Sequence, residues 1–592
     1  VPSHPITRRA ALAAGLGIAP LVSAAETRRR PNVVVILADD QGWGDLSIHG
    51  NTNLATPRID SIGRDGAIFE RFYVCPVCAP TRAEFLTGRY HARGGVRGVS
   101  TGLERLNLDE TTIAGTFKAA GYATAAFGKW HNGSQHPYHP NARGFDEYYG
   151  FTSGHWGQYF DPELDHNGAI TRGKGYITDD LTNHALEFMA RHRDRPFFCY
   201  LPYNTPHSPM QVPDRFFEKL AHRTPEMRHR EREREDIPMT RAALAMCENI
   251  DWNVGRVLSR LDELAIARDT IVLYFSDNGP NSWRWNGGMK GRKGSLDEGG
   301  LRVPFLIRWK GEIRPGTRVR QIAGAIDLLP TLAALAGVPL ISAKPLDGKS
   351  LKPLLLGEGA AWPDRMIFSL SRDQVSVRTQ RHRLDAAGAL YDIDRDPGQE
   401  RDIAAEEPET AARLRAAAAR FAQEVLPHVG PDRRPFPVGY AQSTMLPARD
   451  GVPHGGIERS ARAPNCSYFT NWSSLDGRMT WDIEVGHAGD YEAEIFYTCS
   501  ERDKGATVEL SFGDSRTQAR IGAAHDPPLI GAAFDRVPRA ESYVKDFHPL
   551  RLGALRLEKG RGLLTLRALA IPGKLAADVR YVRLMRRWLF RG

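Results

Sequence analysis

Cysteine is scarce: the chain of 592 residues has six, at 75, 78, 199, 247, 466 and 499. That density excludes a small disulfide-held scaffold. Only Cys75 and Cys78 stand at Cys-x-x-Cys spacing, so the second pair that a zinc ribbon needs is missing. No apolar run reaches the roughly 20 residues of a membrane-spanning helix, and no transmembrane segment is expected. Internal repeats and low-complexity tracts are absent too, which removes solenoids and disordered arrays. Charge of one sign is not in large excess: 79 Lys and Arg against 70 Asp and Glu give +9, a mild surplus that attracts anions at long range without identifying one. No nucleic-acid partner is implied. The mixed-sign stretch at 222–241 reads as the solvated face of a helix.

What is present begins at the N-terminus. Thr7-Arg8-Arg9 opens a short, weakly apolar stretch of small residues ending near Ala24-Ala25, the order expected of a twin-arginine export signal over 1–25. Four apolar runs follow, each ending in polar residues: NVVVILADD, ATAAFGKWH, PFFCYLPYNTPH and TIVLYFSDN. Separated by helical patterns, they predict an α/β fold with a mainly parallel sheet, whose ligands bind beyond the carboxyl ends of the strands. Past the helical IDLLPTLAALAGV the texture changes. Short strands and an Ala/Arg/Glu helix over 346–426 predict a small antiparallel subdomain, 427–460 reads as a Pro/Gly-rich linker, and alternating runs over 461–592 predict a β-sandwich. Cys466 and Cys499 are candidates for a disulfide, whereas Cys199 and Cys247 read as packed thiols.

The stretch CPVCAPTRAEFLTGRY at 75–90 decides the function. Its Cys78-Ala79-Pro80-Thr81-Arg82 core with Leu86-Thr87-Gly88-Arg89 resembles the signature of the sulfatases, formylglycine-dependent hydrolases of the alkaline phosphatase superfamily. The resemblance runs from about residue 31 to 425 and includes GKWH, RGFDEYYGF, NTPHSP, SDNG and KGSLDEGGLRVP in the family's order. It implies an alkaline-phosphatase-like catalytic domain over 31–345. It further implies oxidation of Cys78 to formylglycine by a maturation enzyme before export, and one calcium ion on Asp39, Asp40, Asp277 and Asn278. Those are hard oxygen donors, and three carboxylates crowded together repel without a cation. Thr81 stands where many family members have serine.

Roles follow from the same resemblance. Arg82 neutralises the sulfate oxygens, Asp277 takes the nucleophile's proton, and His207 with Lys293 serves the departing alcohol. Lys129 and His131 serve release of sulfate. Within 131–170, which is similar to bacterial polysaccharide sulfatases, His155, Trp156, Tyr159 and Asp161 are the candidate sugar-binding groups. The implied substrate is a sulfated carbohydrate, with a galactose-type 4-sulfate as the finer expectation, and the implied location is periplasmic or extracellular. Two other readings are a phosphonate or phosphodiester hydrolase of the same superfamily and an inactive glycan-binding protein.

Overall fold

A computed structural model describes residue 1 and residues 29–358 and 362–587 of the chain. The expected export signal, Val1 apart, lies outside these residues. Among them no helix is long and apolar enough to cross a membrane.

The first half is built on one large sheet. Its main strands are β1 (Asn32–Ala38), β2 (Ala67–Tyr73), β3 (Ala123–Lys129), β4 (Glu147–Phe151), β5 (Glu163–His166), β6 (Ala169–Arg172), β7 (Phe197–Pro202), β8 (Thr270–Ser276), β9 (Arg302–Trp309) and β10 (Thr317–Val319). They lie in the order 10-2-9-8-1-7-3-4-5-6. The five central strands, from β8 to β4, are parallel, and antiparallel pairs flank them on both sides. β1 shows why the sheet is interior: Val34, Ile36 and Ala38 face one apolar layer while Val33, Val35 and Leu37 face the other. A strand covered on both faces reads as an unbroken apolar run rather than an alternating one.

Helices α1 (Pro57–Arg64), α2 (Cys78–Thr87), α3 (Ile113–Ala119), α4 (Ile177–Arg191), α5 (Ile237–Glu263) and α6 (Leu328–Ala336) supply the covering layers. α1, α4 and α5 pack on one face and α2, α3 and α6 on the other. The helix expected over 222–241 begins only at Ile237, where the Asp236 side chain accepts from Met239 N at 3.0 Å and Pro238 occupies the first turn. Charge mixing marks exposure there, not helicity.

Strands Ile367–Ser371, Gln374–Arg378, His382–Leu384 and Leu390–Asp392 form an antiparallel sheet, covered by α7 (Pro408–Val425). Glu298 fastens this sheet to the large one. Its Oε1 accepts from Arg383 Nη2 at 2.7 Å and from Arg378 Nε at 3.1 Å, and its Oε2 accepts from Tyr73 OH at 3.1 Å.

The last third is a sandwich of two sheets around Trp472, Trp481, Ile483, Ile495 and Leu566, all fully buried. The segment 427–460, read as a linker, is instead part of it. Phe436–Val438 pairs with Arg478–Val485 in one sheet, and Ser443–Pro447 pairs with Asp578–Arg586 in the other. These strands are three and five residues long, too short to show alternation, and their prolines sit on strands with a single partner, where a missing N–H is tolerated. All six cysteines are free, so Cys466 and Cys499 are not paired. The sandwich is docked on the first half: Gln135 Nε2 donates to Asp450 Oδ2 at 3.0 Å, Gln211 Nε2 to Gly531 O at 2.8 Å, and Arg105 Nη1 to Pro435 O at 2.7 Å.

The Glu298 cluster generates a prediction. Burial works against the Glu298 carboxylate, but Arg383 and Arg378 outweigh it and hold its pKa at about 2. A depressed carboxylate contributes stability that is present above its ordinary range, near pH 4.5, and is lost as pH falls through about 2. Glu298→Gln leaves two buried guanidiniums without their anion and should cost about 3–5 kcal/mol at neutral pH. In thermal unfolding scans, the gap between wild type and variant should narrow as pH drops from about 4.5 toward 2.

Candidate active site

Every polar cluster expected at a strand end arrives at one place. Asp39 and Asp40 follow β1, Lys129 closes β3 with His131 two residues on, His207 lies beyond β7, and Asp277 with Asn278 follows β8. Parallel neighbours end side by side, so residues more than two hundred apart in sequence become contacts: Asp40 N donates to Asp277 Oδ1 at 3.1 Å. Cys78 enters from the other direction, as the first residue of α2. A helix N-terminus presents unpaired N–H groups and a positive dipole end, which favour an anion there.

The backbone is bent to make this fit. Asp40 (φ 67°) and His131 (φ 64°) are both left-handed, a conformation that costs a non-glycine residue about 1–3 kcal/mol and persists where the surroundings impose it. At Gly128 (φ 140°) a Cβ would lie 1.9 Å from the Pro202 carbonyl oxygen, so only glycine lets β3 run beside β7 into Lys129.

Within the site, ligand atoms of Asp39, Asp40, Cys78 and His207 all fall within 4.8 Å of one another. Cys78 Sγ is 3.3 Å from Asp39 Oδ1 and 3.6 Å from Lys293 Nζ. Asp39 pairs with Lys129 at 2.6 Å, Asp40 with Lys293 at 2.6 Å, and Asp277 with Arg82 at 2.7 Å. Thr81 accepts from Cys75 N at 2.8 Å and donates to Asp277 O at 2.6 Å, so the hydroxyl ties the signature loop to β8.

The electrostatics follow from burial and crowding. Burial, then Asp277 and Asp39, push the Cys78 thiol well above its ordinary range. Burial and the neighbouring Asp39 raise the Asp277 carboxyl to about 6, against the pull of Arg82. Burial also opposes ionisation of Asp40, but His207, Lys293 and Lys129 outweigh it and hold that carboxyl low. His207 is brought down to about 4, chiefly by burial.

The histidine tautomers can be assigned from their partners. His131 Nε2 lies 2.8 Å from Val99 O, which only accepts, so Nε2 carries the hydrogen and the buried, unpartnered Nδ1 is the basic nitrogen. His207 Nδ1 donates to Ser208 O at 2.6 Å, leaving Nε2 toward Asp40, 3.6 Å away.

The donor set fits a hard cation. Asp39, Asp40, Asp277 and Asn278 offer oxygen only, and Asn278 Oδ1 is buried with no partner while its Nδ2 donates to Asp40 Oδ1 at 2.8 Å. A buried carbonyl oxygen without a partner, on a side chain that touches Asp40, is what a calcium- or magnesium-type ion satisfies.

The four candidate sugar-binding residues separate. His155 joins the site, its ring 5.9 Å from that of His207 and its Nε2 buried without a partner. Trp156 stacks on Phe151 at 5.4 Å under Arg580 of the sandwich. Tyr159 is fully buried and its hydroxyl is spent on the His207 and Ser208 carbonyls, at 3.0 and 3.1 Å, so it braces the His207 loop instead of meeting a sugar. Asp161 is exposed in a turn, accepting from Gly175 N at 2.7 Å. Alternation of polar and aromatic residues in 151–161 gave no way to tell pocket from support. Sequence reasoning also passed over Arg284, which is buried, pairs with Asp45 at 2.7 Å and donates to Asp40 O at 3.0 Å, and over Asn465 and Glu541 beside His155 and Ser208. The Asp45 of QGWGD was a visible signal; Asn465 and Glu541 carry none.

Comparison with known proteins agrees with this geometry. The sulfatase family model matches residues 31–338, and a second, described as N-sulphoglucosamine sulphohydrolase, C-terminal, matches 292–416. Human arylsulfatase A is 34% identical over 416 residues, covering 63% of this chain and 76% of its own, and canine N-acetylgalactosamine-6-sulfatase is 32% identical over 404 residues, covering 62% and 72%. Among solved structures, Ps i-CgsB in complex with k-i-k-neocarrahexaose is similar at 29% identity and a TM-score of 0.61, over 67% of this chain and 94% of that one. A phosphonate monoester hydrolase of Agrobacterium radiobacter shares the fold at 21% identity and a TM-score of 0.52, over 68% of this chain and 96% of that one. With Cys78, Arg82 and four strand-end clusters gathered at one point, and a family match spanning residues 31–338, this chain belongs to the sulfatase family of sulfuric ester hydrolases.

Proposed function

We propose that the protein is an exported, calcium- and formylglycine-dependent sulfatase that removes sulfate from a carbohydrate. The observation that carries this reading is the convergence of Cys78, Asp39, Asp40 and His207 within 4.8 Å, walled by Lys129, Lys293 and Arg82. In it the Cys78 sulfur stands for the oxygens of hydrated formylglycine. When in place, formylglycine supplies a hydroxyl nucleophile with a second hydroxyl on the same carbon, and calcium, held by Asp39, Asp40, Asp277 and Asn278, neutralises charge on the sulfate.

The chain's own residues do the rest. Lys129, Lys293 and Arg82 surround the sulfate oxygens with preorganised positive charge. Asp277, hydrogen-bonded through Oδ2 to Arg82, would take the nucleophile's proton. His207 gives a proton from Nε2 to the ester oxygen as the sulfur–oxygen bond breaks, freeing the alcohol; the negative sulfate beside it offsets the burial that discourages the charged ring. His131 Nδ1, the basic nitrogen, would draw the proton from the second hydroxyl when sulfate is released.

Support for a carbohydrate comes from the surroundings of His207, where His155, Asn465, Ser208 and Glu541 are polar rather than apolar. The structural relative solved with a neocarrahexaose points the same way. A galactose-type 4-sulfate is the finer reading, and it rests on the likeness of residues 131–170 alone. Export through the twin-arginine machinery, to the periplasm or beyond, rests on residues 1–25; that route carries folded proteins, so formylglycine formation by the maturation enzyme precedes it.

Two measurements test this reading. On a panel of sulfated mono- and oligosaccharides beside an aryl sulfate, at least one glycan should be desulfated faster than the aryl compound. The reverse order for every glycan contradicts the carbohydrate assignment, and preference for a 6-sulfated sugar contradicts only the position. Exhaustive chelation and Asp39→Ala should each lower kcat by at least about a thousandfold, as expected when charge stabilisation at the reacting group is removed. Stoichiometric zinc in the active protein, or full activity without metal, would refute the calcium site.

A further inference from the structure

The sandwich does not stand apart from the chemistry. It lies beyond residue 416, where the two family matches end, so nothing in those matches assigns it a role. Yet the loop between Ser515–Arg520 and His548–Leu557 reaches back over the catalytic half: Arg539 Nη1 donates to Gly157 O at 2.5 Å, and Arg536 Nη2 to Val212 O at 2.7 Å. These contacts hold Glu541 against the His207 loop, where its Oε1 accepts from Ser208 Oγ. From a second sandwich segment, Asn465 reaches His155: its Nδ2 lies 3.4 Å from His155 Nδ1, and its Oδ1 accepts from Ser100 Oγ at 3.1 Å.

The polar atoms around this junction do not satisfy one another. Glu541 Oε2 and His155 Nε2 are buried and without partners, Glu541 against Ser208 and His155 beside the His207 ring. An unsatisfied buried polar group is costly, and a donor and an acceptor left open together are most simply explained by a polar ligand that bridges them. Vicinal hydroxyls of a sugar both donate and accept; an aryl ring does neither. Glu541 is an acceptor for a hydroxyl hydrogen, and His155 Nε2, with Nδ1 taken by Asn465, is a donor to a hydroxyl oxygen.

We propose that the sandwich is a built-in specificity element whose Glu541 and Asn465 complete the alcohol side of the sulfatase pocket, selecting a polyhydroxylated leaving group over an aromatic one. The inference rests on the sulfatase reading and deepens it. Glu541 binds a ring hydroxyl directly; Asn465 is a positioning residue that fixes the His155 tautomer. A glycan-anchoring module remote from the site would instead leave both positions without effect on a monosaccharide.

The test is the kcat/KM of full-length, matured protein for two probes. One is galactose 4-sulfate or galactose 6-sulfate, whichever wild type turns over faster, and the other is 4-nitrophenyl sulfate. Glu541→Ala should lower the sugar-to-aryl ratio by about tenfold or more, the scale on which a site built to bind a hydroxyl discriminates. Asn465→Ala should lower it less, and Glu541→Gln, which keeps shape and the bond from Ser208, should fall between wild type and Glu541→Ala. An unchanged ratio, or an equal fall on both probes, overturns the proposal. A wild-type protein that releases sulfate from neither probe contradicts the sulfatase reading itself.

Discussion

Three carboxylates are forced together where parallel strands end, and the structure is organised around neutralising them. Asp39, Asp40 and Asp277 sit at the ends of β1 and its neighbour β8, buried and within reach of one another. At such separations like charges are tolerated only with matching cations. Lys129, Lys293 and Arg82 provide them from β3, from the loop before Glu298 and from α2. Each cation comes from a different element, so the charge balance also locks the sheet, the signature helix and that loop into one geometry. The same arrangement would become an anion trap if a bound cation took over part of the neutralisation.

That constraint explains the local strain. Left-handed Asp40 and His131 and a glycine-only position at 128 are costs that ordinary strand ends avoid. They are accepted here because they turn side chains inward at the one place where the helix N-terminus, the carboxylates and two histidines meet. Support is layered outward from there. Thr81 fixes the signature loop to β8, Arg284 and Asp45 hold the Asp40 carbonyl, and Tyr159 pins the His207 loop.

Much of this was legible in the chain. Apolar runs ending in Asp-Asp, Lys-Trp-His, Asn-Thr-Pro-His and Asp-Asn announce a doubly covered parallel sheet with its chemistry at one edge, because burial on both faces removes alternation. The Cys78 signature specified the reaction. What could not be read falls into two kinds. Short strands such as Phe436–Val438 carry too few residues to display a period, so the start of the sandwich looked like linker. Contacts across hundreds of residues, such as Glu541 with Ser208 or Asn465 with His155, depend on how two separately legible units dock, and local pattern contains nothing of that. Tyr159 could not be read for a related reason: a polar aromatic loop has the right composition for a sugar, but only the fold decides which side chains are consumed in bracing it.

In the proposed reaction Cys78 is the seat of the nucleophile and not a plain thiol. Burial and two carboxylates hold that thiol in its neutral, unreactive form, so cysteine itself is a poor nucleophile at this position. Peptide mass spectrometry of the active, matured protein decides the matter. Formylglycine is expected at residue 78, with activity rising in proportion to the converted fraction. An intact cysteine at 78 in fully active protein would contradict it.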